Sequence, residues 1–402
     1  MMFGQVAFVR AHWNHLAFGA LLMALSSFGQ TFYISLFGAD LREAYGLTDG
    51  GLGTAYAVAT FASAFTLPRV GRWIDDTTVR RYTIGVALVL AGACVLMAVS
   101  SHVLVLVLTF YLLRLAGQGL MVHTSMTATA RAVPDQAGRA LGISNLGMPL
   151  AEAVLPLAVA FGLGWIGWRG VWMFSIVLVL GGTMLALACR AADGADDRPL
   201  SASGGAGGRR VRGGLWRDPR ILFTLPVILA PSFIVTGFFF HQGRLLEEKG
   251  WPFAWWASWF VGYAVARALS MALAGPVIDR FGATRVLPLF LAPLAVSMLS
   301  ILLVSAPWGA PLCLVPMGIS SGISATLITA LWMALYGPGR LAEVRALAGA
   351  GSVIASGVAP SLMGWLVDGG VGLDAQAGGC LAFIVAASLC ATRVRAKPQG
   401  SL

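Results

Sequence analysis

Along almost the whole chain, apolar residues run for about 20 positions before a short polar segment interrupts them, the length an α-helix needs to cross a bilayer core. The pattern predicts spans near 14–37, 50–69, 82–100, 103–124, 140–163 and 170–190. A second set follows near 221–243, 253–275, 286–305, 310–335, 346–367 and 376–393. The expected fold is an all-α membrane protein of twelve transmembrane helices. The opening apolar run, which follows Arg10, is too long for the core of a signal peptide, and no small-residue cleavage pattern comes promptly after it. Between the sixth and seventh spans lies the stretch SASGGAGGRRVRGG, whose Gly and Ser make it a flexible linker. The expected organisation is an N-terminal six-helix bundle over 1–190, a cytoplasmic linker over 191–220 and a C-terminal six-helix bundle over 221–402.

The two halves share a pattern at an offset of 204 positions. GRWIDDTTVRR (Gly71 to Arg81) and GPVIDRFGATR (Gly275 to Arg285) are both short charged loops between long apolar runs, with Asp75 falling on Asp279 and Arg81 on Arg285. Upstream, LREAYGL (Leu41 to Leu47) aligns with LLEEKGW (Leu245 to Trp251) without a gap, which matches Gly46 with Gly250. Such a repeat marks a duplicated membrane bundle, an architecture common in transporters.

Composition supports the membrane reading: 58% of residues are hydrophobic and 11% charged, against about a quarter charged in soluble chains. The net charge of +10 raises nucleic acid as a partner, but the placement of the charges removes it. With both termini cytoplasmic, 21 of the 27 Lys and Arg residues fall on inner segments and only Arg42, Arg169, Arg244 and Lys249 on outer ones. That distribution is the positive-inside pattern, so the basic charge orients the chain in its bilayer. The five cysteines lie in or beside apolar runs without CxxC spacing, so neither a metal nor a disulfide framework is expected. GLGWIG (Gly162 to Gly167) matches a dinucleotide pattern but ends a membrane helix, where no strand precedes it. No GxxxxGK or HExxH motif occurs, and no cofactor or enzymatic activity is expected.

Three ionisable residues fall at mid-span, where each costs a few kcal/mol and tends to face a cavity. They are Arg114, Glu152 and Arg267. Arg114 shares a helical face with Gln118, Met121 and Ser125, whereas His123 falls on the opposite face and reads as a packed or interfacial histidine. Glu152 shares a face with Asn145 and Pro149; it is either a proton-coupling group or a structural pair for Arg114. Arg267 shares a face with Tyr263 and Ser270, and either contacts solute or braces neighbouring helices. Gln30 and Tyr33 on the first helix, and His241 and Gln242 at the end of the seventh, complete the candidate binding residues. Pro226 and Pro231 interrupt that seventh helix. The small-residue run GISSGISATLITA of the tenth helix reads as close helix packing.

Gly275, Asp279, Arg280, Gly282 and Arg285 resemble the loop signature of the major facilitator superfamily, with the last arginine displaced by one position. The first copy keeps Gly71, Asp75 and Arg81 but has Asp76 and Thr78 where the signature carries Arg and Gly. The resemblance implies that these loops act as cytoplasmic latches whose ion pairs form in one conformation only. RLAGQGL around Arg114 resembles the family's fourth-helix signature with Gly117 and Gln118 exchanged, and Arg267 resembles the eighth-helix arginine of organic-anion carriers. The expected function is secondary active transport of a small solute by alternating access. Two intramembrane arginines against one glutamate favour an organic anion or zwitterion, with a proton as the candidate co-substrate. The alternatives are a proton-driven exporter of amphiphiles and, less favoured, a polytopic sensor. The expected setting is the inner membrane of a bacterium, as a monomer, with both termini cytoplasmic.

Overall fold

The computed structural model describes residues 2–191 and 218–394, so nearly all of the expected linker lies outside the described residues. The described part is helical throughout. It opens with α1 (Met2–Ala11), α2 (Trp13–Leu25), α3 (Thr31–Ile34), α4 (Gly38–Tyr45), α5 (Asp49–Gly71) and α6 (Trp73–Asp76). Next come α7 (Val79–Val99), α8 (Val103–Leu113), a π-helical segment (Arg114–Met121), α9 (Val122–Ala132), α10 (Ala137–Ser144) and α11 (Gly147–Ala191). Then follow α12 (Pro219–Phe240), α13 (Gln242–Lys249), α14 (Phe253–Phe281), α15 (Ala283–Val286), α16 (Ala292–Leu303), α17 (Gly309–Asp368) and α18 (Leu373–Ala391).

Local chemistry sets the boundaries. Thr78 caps α7 by accepting the Arg81 amide at 3.2 Å, and Asp218 caps α12 by accepting the Arg220 amide at 2.9 Å, with Pro219 at the first helical position. α4 and α13 both end at a left-handed glycine, Gly46 at φ +60° and Gly250 at φ +65°. α11 and α17 are each broken once by a glycine with non-helical backbone, Gly167 and Gly337.

Two compact units emerge. One comprises Met1–Gly46 and Ala55–Gly205, the other Leu47–Thr54 and Ala206–Leu402. In the first, α11 packs on α2 and α7, and α2 packs on α9. Its aromatic centre joins Tyr33, Phe37 and Trp172, with Tyr33 edge-on to Trp172 at 5.2 Å between ring centroids. In the second, α17 packs against α12, α14 and α16, and Trp256, Phe260, Phe239 and Tyr263 form the aromatic core.

Among the described residues nine helical stretches are long and apolar enough to cross a membrane, or ten if the bent pair Trp13–Gly29 and Thr31–Tyr45 counts as one span. The stretch Pro134–Arg190 is counted once although its 57 residues far exceed one crossing at 1.5 Å per residue. α5 is not among the nine; Asp49, four glycines, Pro68 and Arg69 dilute its hydropathy. Twelve therefore remains an expectation. Large apolar side chains face outward along these helices, including Phe65 (75% exposed) and Leu303 (72%), an outer surface made for lipid and not for water.

Candidate functional site

The first unit's polar centre forms where its first membrane helix breaks. After α2 the chain tightens through Ser26–Gly29, and Gln30 turns extended (φ −83°, ψ 151°) before α3 begins. Broken helices at membrane depth release backbone carbonyls that need partners. Arg114 supplies one: its guanidinium donates to the Gly29 carbonyl at 3.3 Å and to the Thr31 hydroxyl at 3.4 Å. It also lies over the Tyr56 ring, 5.1 Å from the centroid, and the Tyr56 hydroxyl is 2.7 Å from that of Thr31. The arginine is 4% exposed, and its Nε–H finds no acceptor among the described residues.

Close backbone approach makes this arrangement feasible. A Cβ on Gly117 would fall 2.7 Å from Gly29 Cα, so only glycine lets the π-helical segment meet the first helix here. π-helical turns inside membrane helices often mark function. Gln118, on the same segment, is half-buried. Ser125 donates to the Gly19 carbonyl at 2.7 Å, so it too reaches the first helix. Tyr33 spends its hydroxyl on Ser175 at 2.7 Å inside the aromatic centre. Glu152 is 3% exposed.

In the second unit, Gln242 is fully buried and accepts the Trp256 indole N–H at 2.7 Å. His241 lies 2.8 Å through Nε2 from the Pro360 carbonyl and 3.5 Å through Nδ1 from Asp49. The Tyr263 hydroxyl donates to Ser321 at 3.2 Å. α14 and α17 meet through Gly318 and Gly322, where an added Cβ would strike the backbone carbonyls of Tyr263 and Arg267. Arg267 itself is half-buried. The small-residue tenth helix thus packs closely along the segment that carries Arg267.

The two loop motifs are not alike. Asp75 forms an ion pair with Arg131 at the end of α9, and the His123 ring bonds the Gly71 carbonyl at 3.1 Å. In the second copy Asp279, Arg280 and Arg285 are exposed, and Asp279 has no ion-pair partner among the described residues; Arg280 lies against the Phe281 ring. Gly282 needs its glycine, at φ +83°, whereas Thr78 at the matching position has φ −75° and serves as the cap of α7. That conformational difference explains why the first loop dispenses with the second glycine. Sequence reasoning missed Thr31 and Tyr56, and it set His123 apart from the latch. Tyr56 carries a polar tip in mid-helix, a usable signal, but nothing in the sequence says which helix it faces.

Buried polar groups thus lie at a helix break within a bundle whose outer surface is apolar. The chain belongs to the Major Facilitator Superfamily: the family's model matches residues 19–266. Among solved structures it is similar to the nucleoside transporter NupG, at 11% identity and TM-score 0.73, covering 94% of this chain and 96% of that one. It is also similar to a bacterial homolog of the human lysosomal transporter Spinster in an inward-facing, occupied conformation. There the identity is 14% and the TM-score 0.67, covering 95% of this chain and 96% of that one. No curated protein matches the sequence. The chain is a multi-pass membrane protein of a secondary-transporter family.

Proposed function

We propose that this transporter carries a small organic anion or zwitterion and that Arg114 is its anion contact in the first unit. The observation that carries the reading is the buried guanidinium whose Nε–H has no acceptor among the described residues. Arg114 is held by Gly29, Thr31 and Tyr56, while Nε–H lacks an acceptor among the described residues. A carboxylate suits that donor because the planar fork can offer it parallel charge-assisted hydrogen bonds. Glu152 remains the first unit's candidate for proton coupling, and Gln118 and Gln30 its candidate neutral contacts. Arg267 is the candidate cation of the second unit. The arginine distribution supports an orientation with both termini cytoplasmic, as expected for a bacterial inner membrane.

The test is thermal stabilisation of the purified full-length chain by a panel of monocarboxylates, dicarboxylates, amino acids and nucleosides. An anionic or zwitterionic solute should raise the melting temperature of wild type, and Arg114→Lys should weaken that effect at least tenfold in apparent affinity, about 1.4 kcal/mol. Stabilisation by neutral nucleosides alone, unaffected by Arg114→Lys, would overturn the reading.

A further inference from the structure

The first turn of α5 belongs with the second unit. The Thr48 hydroxyl accepts the Gly51 amide and Asp368, at the end of α17, accepts the Gly50 amide, both at 3.0 Å. Two donors that open the helix are thereby satisfied. A Cβ on Gly53 would lie 2.6 Å from the Pro360 carbonyl carbon, and one on Gly364 would lie 2.6 Å from that of Asp49. The start of α5 and the second half of α17 touch backbone to backbone. Against this crossing His241, at the end of α12, is buried between Asp49 and Pro360.

Donor and acceptor roles then fix a proton. The Pro360 carbonyl can only accept, so His241 Nε2 carries a hydrogen. A neutral ring would turn the lone pair of Nδ1 towards the Asp49 carboxylate 3.5 Å away, in a place nearly closed to water. One further proton on Nδ1 converts that repulsion into an ion pair. Asp49 lies in the first turn of α5, at the positive end of that helix. Arg244 on α13 adds a positive charge that interacts with Asp49. Burial lowers the Arg244 pKa, but the hydrogen bond and charge of Glu248 and the charges of Asp49 and Glu247 raise it overall. Asp368, the other acid on this turn, is occupied by the Gly50 amide.

We infer that Asp49 and His241 form a proton-binding site, imidazolium against carboxylate, that fastens the first turn of α5 to α12 and α17. The proton comes from water and returns to it, and its loss loosens the turn. α5 continues into residues grouped with the first unit, so protonation here acts on a helix common to both. The site is separate from Glu152 and independent of the solute reading, and its test needs no solute.

That test is hydrogen exchange of the full-length chain in lipid nanodiscs, followed on peptides covering residues 47–56 and corrected for the intrinsic pH dependence of exchange. Protection in wild type should fall about tenfold between about pH 6 and about pH 8. His241→Gln should abolish the pH response, and Asp49→Asn should leave protection low at both pH values. Peptides from α7 report whether each variant has folded. A wild-type profile that stays flat overturns the proposal on its own, whatever the variants do. A pH response that survives in folded His241→Gln overturns it as well.

Discussion

Gly46 and Gly250, 204 positions apart, close two eight-residue helices with the same left-handed turn, at φ +60° and φ +65°. Just upstream, Leu41 and Leu245 are both buried on those helices. A shared sequence segment has thus been kept with its cap, its anchor and its length, which is what duplication of a structural unit predicts.

Because L-residues resist the left-handed conformation, Gly46→Ala and Gly250→Ala should each destabilise the protein by about 1 kcal/mol, with little loss at neighbouring glycines in open helical positions. Thermal unfolding in one detergent would check this. Equal effects at Gly92, a helical glycine with open space around it, would mean that backbone conformation is not the cause.

A latch role for the two loops predicts a separation of stability from turnover. Asp75 and Arg131 form a half-exposed pair, so breaking it with Asp75→Asn should cost less than about 1 kcal/mol. Transport should nevertheless slow several-fold, and the exchange Asp75→Arg with Arg131→Asp should restore part of it. If the second loop biases conformations without touching solute, Asp279→Asn should also slow turnover while leaving binding unchanged. Altered affinity with intact turnover would end the latch assignment for either loop.

The sequence shows the duplication, the apolar spans and the intramembrane charges because each leaves a local trace. Span length is written in consecutive residues, and a buried arginine stands out against its neighbours. What it does not show is which faces meet. Tyr56 lies under Arg114 only because Gly29 and Gly117 let two helices approach, a three-dimensional fact with no local signature. Thr78 reads as a lost glycine until its φ of −75° shows that the turn there is a different one. His241 reads as a polar residue at a helix end, and its bond to the Pro360 carbonyl depends on a crossing of distant segments.

Asp218 predicts an acid limit to stability. Burial raises its pKa, but hydrogen bonds from Arg220 and Tyr336 together with the Arg220 charge outweigh that and hold the carboxyl below its ordinary value. A depressed folded-state pKa contributes stability above the unfolded value, near 3.9, and loses it as pH falls through the lower folded one. The melting temperature of Asp218→Asn should therefore lie below wild type at neutral pH, and the gap should close as pH drops below about 4. A gap that persists unchanged at low pH would assign the cost to lost capping alone.

Arg267 calls for a measurement that separates contact from bracing. Gly322 packs on its backbone carbonyl and Gly318 on that of Tyr263, so the segment is positioned by close helix contact. Gly318→Ala and Gly322→Ala should each destabilise by about 1–3 kcal/mol through overpacking. If Arg267 touches solute, Arg267→Lys keeps the charge but loses the planar fork, and should reduce solute-induced stabilisation while sparing the melting temperature without solute. Arg267→Ala should nearly abolish that stabilisation. A brace predicts the opposite division: both variants melt earlier without solute, yet the solute still raises each melting temperature by as much as in wild type. In that case Arg114 is left as the sole intramembrane cation offered to the anion. Should Arg114→Lys also bind normally, a solute without negative charge follows, and the amphiphile-export reading takes precedence.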